Sequence, residues 1–480
     1  MKKRIPEDAE GHSHLTAETL FPTKLEILFQ AVRLGDVNTI LDLYEKRMKL
    51  HTVNEHDGNT ALHIASMNGN VLICRLLIVF STPIKLWKIR NKRGLIAEDL
   101  ACNERIKEDL QMIGEKYAPY DDVSMKENLR ILNSIKSWPS SAKVLLSLDG
   151  GGIKVLALLQ VLIFLDSYIS GGFLSKIDMI AGTSCGGITA LLIGQDHLPE
   201  NMRRHFFEMR NEVFCGNKEK FPKHSSEGFE KTSKAIFGKK SKMSSLSKRV
   251  FVTVADTLTT PPNLVLFRSY LPRIPKEICR QNKFLDPSRI LLWKAARCTS
   301  AAPYFFESFN GLSDGGLVAN NPTLAMMTEF FNILKLETHY SDINEEKEKI
   351  GLVISIGTGI GPPEKTKGID LNLKNLDKKN PIRLARGLMN VVTTAKTAFH
   401  LLIKEVTSSQ GMPVKTARAW CHSLSIPYFR FNPMLNSDVP LDCTNVEKIV
   451  NMMWETELYL RSTAIHEFKH LAELLRMKTN

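Results

Sequence analysis

Three short motifs carry the residues best able to do chemistry: Gly182-Thr183-Ser184-Cys185-Gly186, Asp149-Gly150-Gly151-Gly152 and Asp314-Gly315-Gly316. Ser184 follows an apolar run at 177–181 and precedes another at 188–193. A strand, a sharp turn flanked by glycines and a helix, in that order, present a serine hydroxyl as a nucleophile, because larger neighbours would collide in the turn. The helix that follows points free N–H groups and its positive dipole end at developing negative charge. A serine hydroxyl is weak until a base takes its proton. A carboxylate such as Asp314, with an ordinary pKa of about 3.9, is ionised at neutral pH and can take that proton in a dry pocket.

The glycine run Gly150-Gly151-Gly152 follows a predicted strand at 144–148 and opens an apolar segment at 155–163, read as a buried helix. Strand, glycines and helix suit either a dinucleotide loop or an oxyanion hole. The first wants a glycine further along where Val155 stands, and no Walker lysine pattern is present. Bare amides aimed at an alkoxide fit better with a serine turn about thirty residues on. Asp314 follows a stretch at 304–309 that reads as extended, and Asp-Gly-Gly by itself reads as a turn. An ordinary Ser-His-Asp triad is the competing scheme. His197, His339, His400, His422, His466 and His470 all follow Ser184, yet none sits in a glycine-rich loop.

These residues need an α/β frame to position them, and the chain has room for it with more than one domain. It holds 480 residues, 43% of them hydrophobic and 24% charged. The formal net charge of +13 suits an anionic surface. No zinc-ligand spacing, RNA-binding aromatic motif or helix-turn-helix signal accompanies it, so nucleic acid is not expected as a partner. Eight scattered cysteines without a Cys-x-x-Cys pair fit free thiols in a reducing compartment. The N-terminus lacks the apolar core of a secretory signal, and the longest apolar run, 155–165, is too short to span a bilayer. A cytoplasmic protein that touches membranes from outside is the expectation.

Ahead of the α/β region, Asp57-Gly58-Asn59-Thr60-Ala61-Leu62-His63-Ile64-Ala65 has the turn-and-helix signature of an ankyrin repeat. Related stretches at 28–37 and 94–101 place Ala31, Ala65 and Ala101 close to the roughly 33-residue period. About three repeats over 24–110 are expected, with His63 in a structural role. They would serve as a platform for a protein partner or a homo-oligomer, or merely pack on the next domain. A linker with one short helix follows over 111–141, then a catalytic domain over 142–477.

Taken together, the glycine loop, Gly-x-Ser-x-Gly and Asp-Gly-Gly resemble the patatin-like phospholipases, and the preceding ankyrin repeats resemble the calcium-independent phospholipase A2 (group VI) branch. So do Trp293-Lys294-Ala295-Ala296-Arg297, Ser355-Ile356-Gly357-Thr358-Gly359 and Met453-Trp454-Glu455-Thr456-Glu457. The resemblance implies a three-layer α/β/α patatin-like domain behind a short all-α ankyrin stack. It implies Ser184 as nucleophile, Asp314 as base with no histidine, and Gly150, Gly151 and Gly152 as oxyanion donors. It implies hydrolysis of the sn-2 acyl ester of phospholipids at a membrane surface, without metal or other cofactor. A lysophospholipase, a neutral-lipid lipase, a transacylase or an inactive lipid-binding scaffold are the alternatives. Cys185 and Val155 stand where relatives often have threonine and glycine.

Two basic stretches remain. Residues 218–249 interleave lysines with Phe221, Phe229 and Phe237 and read as a solvated loop or a mobile insertion meeting anionic headgroups. The amphipathic stretch 383–404 suits a calmodulin target, a membrane-surface helix or an ordinary packed helix. The apolar spacing from 445 to 475 reads as one last core helix.

Overall fold

The computed structural model describes residues 22–114, 123–169, 172–214, 216, 222–340, 347–362 and 410–478. The basic stretch 383–404 lies outside the described residues.

Two helix pairs open the fold: α1 (Lys24–Leu34) with α2 (Val37–Glu45), and α3 (Ala61–Met67) with α4 (Val71–Ser81). Thr60 caps α3 by accepting from the His63 amide, and the His63 ring accepts the Thr60 N–H in return (3.1 Å). That leaves Nε2–H to donate to the Leu95 carbonyl of the next unit (3.1 Å), so the buried imidazole bridges repeats. The third unit departs from the expected pattern. Residues 97–100 form only a turn, in which the Asp99 carboxylate takes the Ile96 amide (2.8 Å), and only α5 (Glu104–Met112) follows.

Helix α6 (Val123–Ser134) docks on the sheet. Its Asn128 side chain donates to the Tyr428 carbonyl and accepts from the Tyr428 N–H (3.0 Å), standing in for a neighbouring strand at an open edge.

The α/β part runs β1 (Ala142–Leu148), α7 (Val155–Tyr168), β2 (Met179–Thr183), α8 (Ser184–Gly194), α9 (Pro199–Val213), α10 (Ser226–Phe237), β3 (Arg249–Asp256) and β4 (Asn263–Arg268). It continues with α11 (Lys276–Gln281), α12 (Leu292–Thr299), β5 (Leu312–Asp314), α13 (Gly316–Ala319), α14 (Thr323–Tyr340), β6 (Lys349–Ile356), α15 (Met412–Ser423), β7 (Tyr428–Phe431), α16 (Val446–Arg461) and α17 (Ile465–Met477). The sheet order is β4-β3-β2-β1-β6-β7, with β5 added antiparallel to β3. Strands β3, β2, β1, β6 and β7 are parallel, and β4 is antiparallel to β3. The chain leaves β1 toward β2 and later returns on its other side as β6. That reversal opens a crevice at the carboxyl ends of the central strands, the usual ligand position in such sheets.

Alternation along β1 sends Val144, Leu146 and Leu148 to one face and Leu145 to the other. The Leu145 face packs on Met326, Met327 and Phe330 of α14 and Ala417 and Cys421 of α15. The opposite face joins a core that includes α7, buried from Val155 to Leu165, and continues without a break into the repeats, from Leu28 to Leu475. The terminal segment is two helices, since Ser462 and Thr463, poor helix formers, stand at the break. Its expected core residues Ile449, Met453, Leu460, Phe468 and Leu471 are all buried. The stretch 304–309 is a turn with one bridge, Phe309 to Leu312, and the true strand begins only at Leu312. Among the described residues, no helix is long and apolar enough to cross a membrane.

Candidate active site

Ser184 sits where β2 gives way directly to α8, at φ 55°, a left-handed backbone that a non-glycine residue adopts only under constraint. The turn closes against β1: a Cβ on Gly186 would lie 2.4 Å from the Asp149 carbonyl oxygen. Pairing on β3 explains how a residue 130 positions away reaches the serine. Strand β2 pairs with β3 as far as Thr183 opposite Thr253, and β5 takes over with Asp314 opposite Val254. The two side chains therefore end up along one edge of one strand. Ser184 Oγ donates to Asp314 Oδ2 at 2.7 Å.

Thr299 braces the serine's backbone. Its hydroxyl accepts the Ser184 N–H (2.9 Å) and donates to the Thr253 carbonyl (2.7 Å), so the turn is tied to β3. The Asp314 carboxylate is buried and accepts from the Ser184 hydroxyl and the Gly316 amide (2.6 Å). Burial raises its pKa from 3.8 to about 6, against the pull of those two hydrogen bonds.

The three loop glycines do not play equivalent parts. The Gly150 amide donates to the Asn320 carbonyl (3.2 Å), and a Cβ there would strike Asn320 Oδ1 at 2.4 Å and crowd Ser184. Gly150 is an anchor, which departs from the expected trio of oxyanion donors; Gly151 and Gly152 are the ones that line the cavity beside Ser184. Cys185 lies against the same amides. Burial first, and then the nearby Asp314 carboxylate, push its thiol up to about 12, while the Gly151, Gly186 and Gly152 amides pull the other way. It stays a neutral thiol beside the serine.

The loop is held from below by a pair absent from the sequence reading. Asp149 is fully buried and receives both Arg430 nitrogens (3.1 and 2.6 Å) and the Asn321 amide (2.8 Å). Burial alone would lower the Arg430 pKa; the Asp149 carboxylate outweighs it and keeps the guanidinium charged. An isolated arginine on a late strand carries no local signal of such a partner.

Ser184 opens into an apolar cavity walled by Ile188, Phe206, Met209, Val213, Phe229 and Phe306. One expectation changes here. Phe229 and Phe237 of the lysine-rich stretch are buried on α10, and Phe229 faces the cavity, so its segment Ser226–Phe237 is a packed helix; Phe221 lies outside the described residues. No histidine lines the cavity as described. His422 is 3.3 Å from Asn128, His470 is 3.7 Å from Glu473, His197 packs on His205 and His339 on Tyr340. His400 lies outside the described residues.

Comparison with known proteins agrees with this layout. Residues 146–327 match the model for patatin-like phospholipase, and residues 28–78 match that for ankyrin repeats. The mouse 85/88 kDa calcium-independent phospholipase A2 is 36% identical over 352 residues, covering 72% of this chain and 42% of the mouse protein. Intracellular phospholipase A2 of Caenorhabditis elegans is 27% identical over 322 residues, covering 67% of this chain and 28% of that protein. Patatin-like phospholipase 1 of Plasmodium falciparum is 24% identical over 360 residues, covering 69% of this chain and 49% of its own. The chain thus spans less than half the length of these curated relatives. Its motifs, its sheet and these matches agree that it belongs to the patatin-like phospholipase family, with ankyrin repeats ahead of the α/β domain.

Proposed function

We propose that this protein is a calcium-independent phospholipase A2 that hydrolyses the sn-2 acyl ester of glycerophospholipids through a Ser184–Asp314 dyad. The observation that carries the reading is the 2.7 Å hydrogen bond from Ser184 Oγ to a buried carboxylate at the mouth of an apolar cavity. Asp314 takes the hydroxyl proton as Ser184 Oγ attacks the ester carbonyl. A base with a pKa near 6 accepts that proton more readily than an ordinary carboxylate and is still ionised at neutral pH. The Gly151 and Gly152 amides and the α8 N-terminus receive the oxyanion. Collapse expels the lysophospholipid alkoxide, which leaves with the proton from Asp314. The acyl chain stays on Ser184 in the apolar cavity. Water, deprotonated by Asp314, attacks the acyl-enzyme and releases the fatty acid, and the proton returns to Ser184.

A cytoplasmic enzyme working at a membrane surface fits the approach to the cavity. The apolar residues Pro303, Phe305 and Leu317 line the cavity beside Ser184 and are only partly buried. The test is product analysis on phosphatidylcholine labelled differently in each acyl chain, with a chelator present and Ser184→Ala as control. Release of the sn-2 acid by the wild type alone is expected. Release of the sn-1 acid, a need for calcium, or equal activity of Ser184→Ala would sink the reading.

A further inference from the structure

Helix α9 belongs to the cavity and to the ankyrin stack at once. Phe206, Met209 and Val213, spaced three and four apart, line the cavity beside Ser184. Arg203, Phe207 and Arg210 form the adjacent stripe, and that stripe is fastened to the repeats.

Arg203 is 2% exposed and carries the junction. The C-terminal end of α4 is buried there, and a buried helix end needs partners for its last carbonyls. Arg203 supplies them. Nη1 donates to the Val79 carbonyl (2.7 Å), and Nη2 donates to the carbonyls of Phe80 (3.0 Å) and Thr82 (3.1 Å). Its charge also answers the negative end of the α4 dipole. Further bonds reach the Thr82 hydroxyl (2.6 Å), the Tyr44 hydroxyl (3.3 Å) and Gln160 Oε1 on α7 (2.7 Å). Around it Phe207 packs edge-on against Phe80, with ring centres 4.9 Å apart, and the Arg204 guanidinium covers Tyr44. One helical turn past Phe206, Arg210 pairs with Glu45 at the end of α2 (2.9 Å).

We propose that the ankyrin stack sets the acyl-chain selectivity of the site, with Arg203 as the positioning residue that holds the α9 wall of the cavity at a fixed distance from Ser184. The inference rests on reading the cavity as the acyl site. A wall held by a charged fork at one end and an ion pair two turns later moves as a body when either tie is cut. Such a shift is felt by a long chain lying along Phe206, Met209 and Val213, and hardly at all by an ester too short to reach them.

The test uses the full chain with Arg203→Gln and, as a milder cut at a half-exposed position, Glu45→Gln. Hydrolysis of p-nitrophenyl butyrate is compared with that of phosphatidylcholines bearing palmitoyl or arachidonoyl at sn-2. Both variants should change the arachidonoyl-to-palmitoyl ratio of kcat/KM by about threefold or more while holding the short-ester value within about twofold, and Arg203→Lys should recover part of the ratio. An unchanged ratio in Glu45→Gln, or equal losses on short and long esters in a variant whose melting temperature is unaltered, overturns the proposal. If Arg203→Gln does not fold, Glu45→Gln decides alone. A wild type that cleaves neither ester overturns the functional reading instead, which keeps the two failures apart.

Discussion

Two buried aspartates, each followed by glycines at the end of a strand, meet opposite fates. Asp149 is gripped by the two nitrogens of Arg430 and by Asn321, so its charge is matched and its geometry locked. Among the described residues, Asp314 receives hydrogen bonds from a serine hydroxyl and one backbone amide, and from no cation. A matched buried ion pair is a poor base, because taking a proton strands the arginine. A desolvated carboxylate bonded to a hydroxyl is poised to take one. The same Asp-Gly-Gly string is therefore a brace in one place and the candidate base in the other, and partners from distant strands make the difference.

The sharpest way to break this contrast is Asp314→Asn, which should lower kcat by about 10³-fold or more on any ester while the protein stays folded. Stability adds a sign. The folded pKa of about 6 lies above the ordinary 3.8, so the contribution of Asp314 is fully present below the unfolded value and is lost as pH rises through 6. Asp314→Asn should thus be more stable than wild type at pH 8, by on the order of 1–3 kcal/mol, with the gap closing toward pH 4. Denaturant titration at both pH values measures it; a variant less stable at pH 8 contradicts the assignment. Asp149→Asn should instead be destabilising. Leaving Arg430 buried without its counter-charge should cost about 3–5 kcal/mol, read as a fall in melting temperature, with activity lost only as structure is lost. A stable, well-folded Asp149→Asn with no activity would instead give Asp149 a chemical role.

A subtler check is the pH profile. Wild-type kcat/KM should drop about tenfold per pH unit below about 6, as the base becomes protonated. A midpoint near 4 would mean that Asp314 is not desolvated in solution. The smallest effect is expected at Thr299→Val, which leaves the Ser184 amide without its acceptor and removes the tie to Thr253. A loss of about tenfold in kcat and 1–2 kcal/mol in stability should follow. Equal kcat would show that the serine turn holds itself.

Much of the local design could be read along the chain. The serine between glycines, the glycine loop before an all-apolar helix and the repeat carrying His63 each announce themselves within a few residues, because steric demands and hydrophobic periodicity act over that range. What escaped was long-range. Nothing near Arg203 or Arg430 in the chain signals their partners; burial puts one on a helix end and the other on a carboxylate. Gly150 reads as a third oxyanion donor until Asn320 claims its amide. The lysine-rich 218–249 stretch reads as loop because composition hides Phe229 and Phe237 on the inner face of α10.

By itself, the order of residues determined which short segments bend, which bury and which hydroxyl stands exposed at a bend, since those outcomes depend on neighbours a few positions away. Only the tertiary structure decided which acid keeps a counter-charge and which is left facing Ser184. That choice turns on strand β5 joining β3 where β2 ends, and on β7 bringing Arg430 beneath the glycine loop. Desolvation and charge pairing are set by such distant partners, and no local window of the chain contains them.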